Sequence, residues 1–60
     1  MPLIQVSLYE DQLTADTRKA LIEELTEAVV RAFGPEKRDV TWVTLTGVPR
    51  DQWGIGGTPG

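Results

Sequence analysis

Cysteine and histidine are both missing from this sixty-residue chain. Without cysteine no disulfide can close, and without either residue the usual sulfur and nitrogen ligands of a structural zinc site are gone. Two common ways of holding a very small fold together are thereby excluded. Cations are also scarce: six Lys and Arg stand against nine Asp and Glu, the net charge is −3, and there is no basic run. Nucleic acid and anionic membrane surfaces, which are recognised by clustered Lys and Arg, are not expected partners. No apolar stretch approaches the roughly 20 residues that span a bilayer, and the start lacks the charged and apolar regions of a signal peptide. A cytoplasmic protein is the default expectation.

What remains is enough for one domain over residues 1–60, but at this size only about 60% of the unfolded surface becomes buried. With disulfide and zinc excluded, oligomerisation is the remaining common staple. Trp42 and Trp53, half of the four aromatic residues, are costly to leave in water and favour burial between subunits. A homo-oligomer is expected.

The chain divides into three elements and a glycine-rich tail. Pro2-Leu3-Ile4-Gln5-Val6-Ser7-Leu8 alternates in polarity and predicts a strand over about residues 2 to 9. Thr14 is a plausible N-cap, Asp16 lies where the helix dipole favours an anion, and Gly34-Pro35 is a stop signal. Between them a helix of about 19 residues is predicted, with Leu21, Ile22, Leu25, Ala28, Val29, Ala32 and Phe33 on its apolar stripe. Glu27 and Arg31 have the spacing of an ion pair on its wet side. After the loop 35–39, Val40-Thr41-Trp42-Val43-Thr44-Leu45-Thr46 is rich in β-branched and aromatic residues and predicts a second strand.

Strand, helix and strand make a βαβ unit with parallel strands, so the fold class is α/β. Two strands do not form a stable sheet alone. Val40 and Trp42 alternate with Val43 and Leu45, which gives both sheet faces apolar groups. One helix covers one face, and another subunit must cover the other.

Pro2 has two readings. It suits the first residue of a strand, where a missing N–H breaks no ladder. If Met1 is removed it also becomes a secondary amine at the chain terminus. An α-amino group titrates near pH 7.7 to 8 before burial disfavours its charged form, so such an amine can act as a general base near neutrality. The tail Trp53-Gly54-Ile55-Gly56-Gly57 has neither the spacing nor the following helix of a phosphate-binding loop. It reads as a glycine-rich hairpin or bulge that lets the backbone pass close to another chain.

Taken together, the βαβ unit, the proline after Met1, the strand ending Leu8-Tyr9-Glu10, and Val48-Pro49 leading to Trp53-Gly54-Ile55-Gly56-Gly57 resemble the 4-oxalocrotonate tautomerase family. The resemblance covers nearly the whole chain. It implies subunits that pair into a four-stranded sheet with two helices per dimer, and dimers that assemble as a homohexamer. It further implies a cofactor-independent, metal-free proton transfer next to a conjugated carbonyl, with Pro2 as general base. Trp53 matches the family's aromatic residue that lines the same site from a neighbouring subunit.

Two positions depart from the family pattern. Gln12 stands where relatives acting on dicarboxylates have an arginine, and counting back from the Trp53 motif puts Trp42 at the second arginine position. An arginine fork binds carboxylate bidentately, whereas Gln offers a neutral amide and Trp a single N–H. Substrates with one carboxylate or none are therefore expected over dicarboxylates. Arg38 and Arg50 could enter a site from an adjacent subunit, although solvated loop charge is the favoured reading for both. Tyr9 is read as packing, and Glu10 and Asp11 are assigned no chemistry. The expected function is a tautomerase or isomerase on a small enolisable carbonyl compound. Pro2 is its base, Trp53 its apolar wall, and Gln12, Trp42 and Arg38 are candidate substrate contacts. A hydratase-like or dehalogenase-like reaction, or an oligomeric structural protein with a vestigial site, are the alternatives.

Overall fold

The alternation at the start of the chain does form a strand, and a computed structural model describes all residues from Met1 to Gly60. β1 runs over Leu3–Tyr9, α1 over Ala15–Phe33 and β2 over Trp42–Val48. Short 3-10 turns follow at Glu10–Gln12, Pro35–Val40 and Arg50–Gln52. The tail folds into a two-residue-a-side hairpin, β3 at Gly54–Ile55 and β4 at Thr58–Pro59.

β1 and β2 are parallel, in a register that pairs Leu3 with Trp42, Val6 with Leu45 and Tyr9 with Val48. Pro2 cannot donate to this ladder, but its carbonyl accepts from the Trp42 N–H at 2.9 Å. It thus closes the sheet without belonging to the strand. Ile4, Val6 and Leu8 with Val43 and Leu45 are half-buried, while Leu3, Gln5 and Ser7 with Trp42, Thr44 and Thr46 are exposed. That split is the period of two that a one-sided sheet requires.

Local chemistry sets the helix ends. Thr14 caps α1 reciprocally with Thr17: the Thr17 N–H donates to Thr14 Oγ1 at 3.1 Å and the Thr14 N–H to Thr17 Oγ1 at 2.7 Å. At the other end the Gly34 N–H donates to the Val30 carbonyl at 2.8 Å. Gly34 has φ of 118°, which an L side chain rarely adopts, and Pro35 then prevents the helix from continuing.

Two expectations are corrected. Strand β2 starts at Trp42, not Val40, because the Thr41 hydroxyl donates to the Lys37 carbonyl at 2.7 Å and prolongs the 3-10 turn. Glu27 bonds to Arg38 from that turn instead of pairing with Arg31 on its own helix. The Arg38 hydrogen bond holds the Glu27 carboxyl below its ordinary range, with a smaller contribution from Arg31.

Only Val29 is buried, on the strip of α1 that also carries half-buried Leu21 and Leu25. Ile22, Phe33, Val40, Trp42 and Ile55 are exposed. The accessible surface is 4459 Å², against about 3,900 Å² for a compact chain of this mass. The radius of gyration is 14.1 Å, where close packing of sixty residues gives about 10 Å. One protomer alone therefore leaves much of its apolar surface uncovered. No helix is long and apolar enough to cross a membrane.

Candidate active site

Parallel strands collect both chain entries at one end of the sheet and both exits at the other. The candidate residues divide accordingly. At the entry end, Pro2 precedes β1 and Trp42 opens β2, and the Pro2–Trp42 hydrogen bond holds the two together. The crossover helix brings the chain back to the same end, so that Phe33 and Lys37 join Met1 and Pro2 around a hollow of about 300 Å³. Trp42 is 60% exposed beside it and Phe33 is 65% exposed.

At the exit end the turns after β1 and β2 lie side by side. Gly47 makes this possible. A Cβ there would stand 3.0 Å from Leu13 Cδ1 and 3.2 Å from Glu10 Cα, tighter than ordinary contact, so glycine lets the first turn press closely on the strand. Tyr9 and Trp53 meet with ring centroids 5.0 Å apart and planes at 59°. The Trp53 indole N–H donates to the Val48 carbonyl at 3.3 Å. Arg50 lies 4.0 Å over the Tyr9 ring, an attraction between cation and π face. Its Nε and Nη2 donate to the two oxygens of Asp11 at 2.6 and 3.2 Å.

This fork holds the Asp11 carboxyl below its usual range, chiefly through the Arg50 hydrogen bond, and raises the already high pKa of Arg50. Gln12 is exposed on the same turn, its backbone carbonyl taken by the Thr17 hydroxyl at 2.9 Å. Past the second turn, Gly56 and Gly57 have φ of 60° and 84°. Both central residues of the hairpin loop are thus left-handed, as a type I′ turn requires.

Within one protomer, then, the structure joins Pro2 to Trp42 at one end of the sheet and leaves Gln12 and Trp53, which follow the two strands, at the other. Seven strand residues at about 3.3 Å each place these ends roughly 20 Å apart. Arg38 belongs to neither group. It lines a second, acidic hollow of about 420 Å³ with Glu23, Glu24 and Glu27. Sequence reasoning passed over Phe33 and Lys37 at the Pro2 hollow and the Asp11–Arg50 fork beside Trp53. The parallel topology was the available signal, since it sets loop 35–41 beside Pro2 and the two post-strand turns against each other.

A family model described as Tautomerase enzyme matches residues 2–59. The chain belongs to the tautomerase family. Consistent with this, it is similar to Probable tautomerase K2 of Dickeya dadantii (strain 3937), with 35% identity over 57 residues covering 95% of this chain and 84% of that protein. No solved structure matches. The protein is thus a probable tautomerase, an isomerase by reaction class, and its α/β architecture of a βαβ unit followed by an antiparallel hairpin is consistent with the tautomerase fold. The entry end holds Pro2, the candidate base, and the exit end an aromatic pair, Tyr9 and Trp53, beside a cation already paired with Asp11.

Proposed function

We propose that Pro2, once Met1 is removed, is the general base of a cofactor-independent tautomerase acting on a small enolisable carbonyl compound. The supporting observation is its setting: Pro2 borders a hollow walled by Phe33, with Trp42 bonded to its carbonyl. An amine against such apolar surface is disfavoured as ammonium, which keeps a basic lone pair near neutral pH. The nitrogen removes a proton from the carbon next to the carbonyl, the electron pair moves onto oxygen, and the same proton is returned at a conjugated carbon. Met1 is open to removal, being 63% exposed. While it remains, the Pro2 nitrogen is an amide with no basic lone pair.

The reading extends to assembly. Trp53 lies too far from Pro2 in its own chain, and a second copy whose sheet runs antiparallel to the first sets its exit end against the entry end of its partner. Such pairing gives a four-stranded sheet with two helices, lets Trp53 wall the neighbouring Pro2, and covers Trp42 and Phe33. A homohexamer of these dimers and a cytoplasmic location complete the proposal, and sedimentation and cell fractionation check them. The chemistry is tested by Pro2→Ala, which leaves a primary amine in a looser setting. Enolisation should slow by about 10²-fold or more, within the range that a positioned base contributes. An unchanged rate would remove Pro2 from the reaction.

A further inference from the structure

We infer that Lys37 is the substrate-binding cation of the Pro2 hollow, and that it selects enolisable carbonyl compounds carrying a single carboxylate. The inference rests on the reading of Pro2 as base and adds to it the substrate class. The chain has six cations, and the structure already employs two of those nearest the sheet ends. Arg50 is forked onto Asp11, and Arg38 is paired with Glu27. Each meets a carboxylate of its own chain, so neither offers an unpaired charge to a ligand.

Lys37 differs on three counts. It is half-buried, it lines the same hollow as Pro2, and it forms no ion pair. Its neighbour Glu36 does not neutralise it, because that carboxylate is folded back over Gly34. The backbone under Lys37 is fixed at both polar groups: its N–H donates to the Gly34 carbonyl at 3.2 Å, and its carbonyl accepts from the Thr41 hydroxyl at 2.7 Å. Lys37 therefore stands on a pinned turn beside Pro2 and Phe33, which share the hollow with it once Met1 is removed. A half-buried lysine with apolar neighbours and no counterion offers its ammonium to one anionic group. With Gln12 and Trp42 uncharged, nothing else in the candidate set pairs with a second carboxylate. A carboxylate held at Lys37 brings the adjacent carbonyl and its acidic carbon toward the Pro2 nitrogen.

The test uses pyruvate and its uncharged analogue pyruvamide as probes. Exchange of their C3 protons for deuterium is followed by NMR in the wild type, Lys37→Met, Lys37→Arg and the exposed control Lys19→Met. In Lys37→Met, kcat/KM for pyruvate should fall about 10- to 100-fold, mainly through KM, with pyruvamide changed by less than about threefold. Lys37→Arg should restore most of the loss. Removing the neighbouring positive charge should also move the limb of the pH profile that reports Pro2 to higher pH. Equal losses with both probes, no loss with either, or the same loss in Lys19→Met would overturn the assignment.

A binding measurement separates the two readings. Pyruvate is titrated against the Trp42 indole N–H signal of the wild type and of Lys37→Met. If the wild type binds pyruvate without exchanging its protons, and Lys37→Met binds it at least tenfold more weakly, the proton-transfer reading fails and the Lys37 site stands. Equal affinities, or no binding by the wild type, would refute the Lys37 site itself.

Discussion

The two ends of the parallel sheet are built from similar materials and finished differently. The exit end is internally satisfied: Arg50 has Asp11 as counterion and Tyr9 as a π face, and Trp53 has both a ring partner and a carbonyl for its N–H. The entry end is left open. Pro2 faces a hollow, Lys37 has no counterion, and Trp42 and Phe33 project outward. A finished end needs nothing from outside the chain, whereas an open one is completed by a ligand, by another subunit, or by both. On the proposed reading this asymmetry separates the wall of the site from the working part, and the proposed antiparallel pairing of two copies would reunite them.

The comparison breaks most completely if the open end needs no partner. A chain with one buried residue and an excess of accessible surface should lose its fold on dilution, since assembly supplies the missing burial. Sedimentation combined with circular dichroism over a dilution series should show dissociation and unfolding together. A compact, thermally stable monomer at micromolar concentration would contradict the shared-burial account.

Gly47→Ala strikes at the finished end. The added methyl group stands 3.2 Å from Glu10 Cα and 3.0 Å from Leu13 Cδ1, so the first turn must give way by a few tenths of an ångström. Overpacking of this kind costs about 1–3 kcal/mol, readable by urea unfolding. It should displace the turn that carries Asp11 and Gln12 while leaving the Pro2–Trp42 contact in place.

Gln12→Arg sharpens the same contrast from the ligand side. An added guanidinium facing a neighbouring Pro2 hollow should raise kcat/KM for a dicarboxylate by about tenfold, one charge-assisted contact, and leave an uncharged carbonyl substrate unaffected. No gain for the dicarboxylate would mean that Gln12 does not face the site.

The smallest effect is that of acidification. Asp11 and Glu27 have carboxyl pKa values lowered by Arg50 and Arg38. A depressed carboxyl contributes stability above its unfolded-state pKa and loses it as pH falls through the folded value. Both groups are open to solvent, so the loss should be slight, and it should vanish in Asp11→Asn combined with Glu27→Gln. Thermal melts from pH 6 down through the acid range check the sign.

The elements that carry their own punctuation were legible in the sequence. Thr14 and Gly34-Pro35 bracket α1 because capping and chain reversal are local chemistry, and the alternation of β1 survives intact. The start of β2 was misplaced because a single hydroxyl, that of Thr41, outweighs the β propensity of Val40 by bonding to the Lys37 carbonyl. Partner choice was harder to read. Glu27 has a cation of suitable spacing on its own helix, yet Arg38 reaches it from a turn that only the folded chain brings near. Asp11 and Arg50 are 39 residues apart and meet because parallel strands end together. For the same reason Pro2 and Trp53 were recognisable as family signals, while Lys37 becomes notable only once the turn after α1 lies beside Pro2.

The central claim is that a free Pro2 amine does the chemistry, and intact mass spectrometry of the natively expressed, active oligomer tests it most directly. The account predicts a mass lacking Met1, with proton-transfer activity rising in proportion to the processed fraction across preparations. Full activity in protein whose mass still includes Met1 would contradict it, because an acylated Pro2 nitrogen cannot accept a proton.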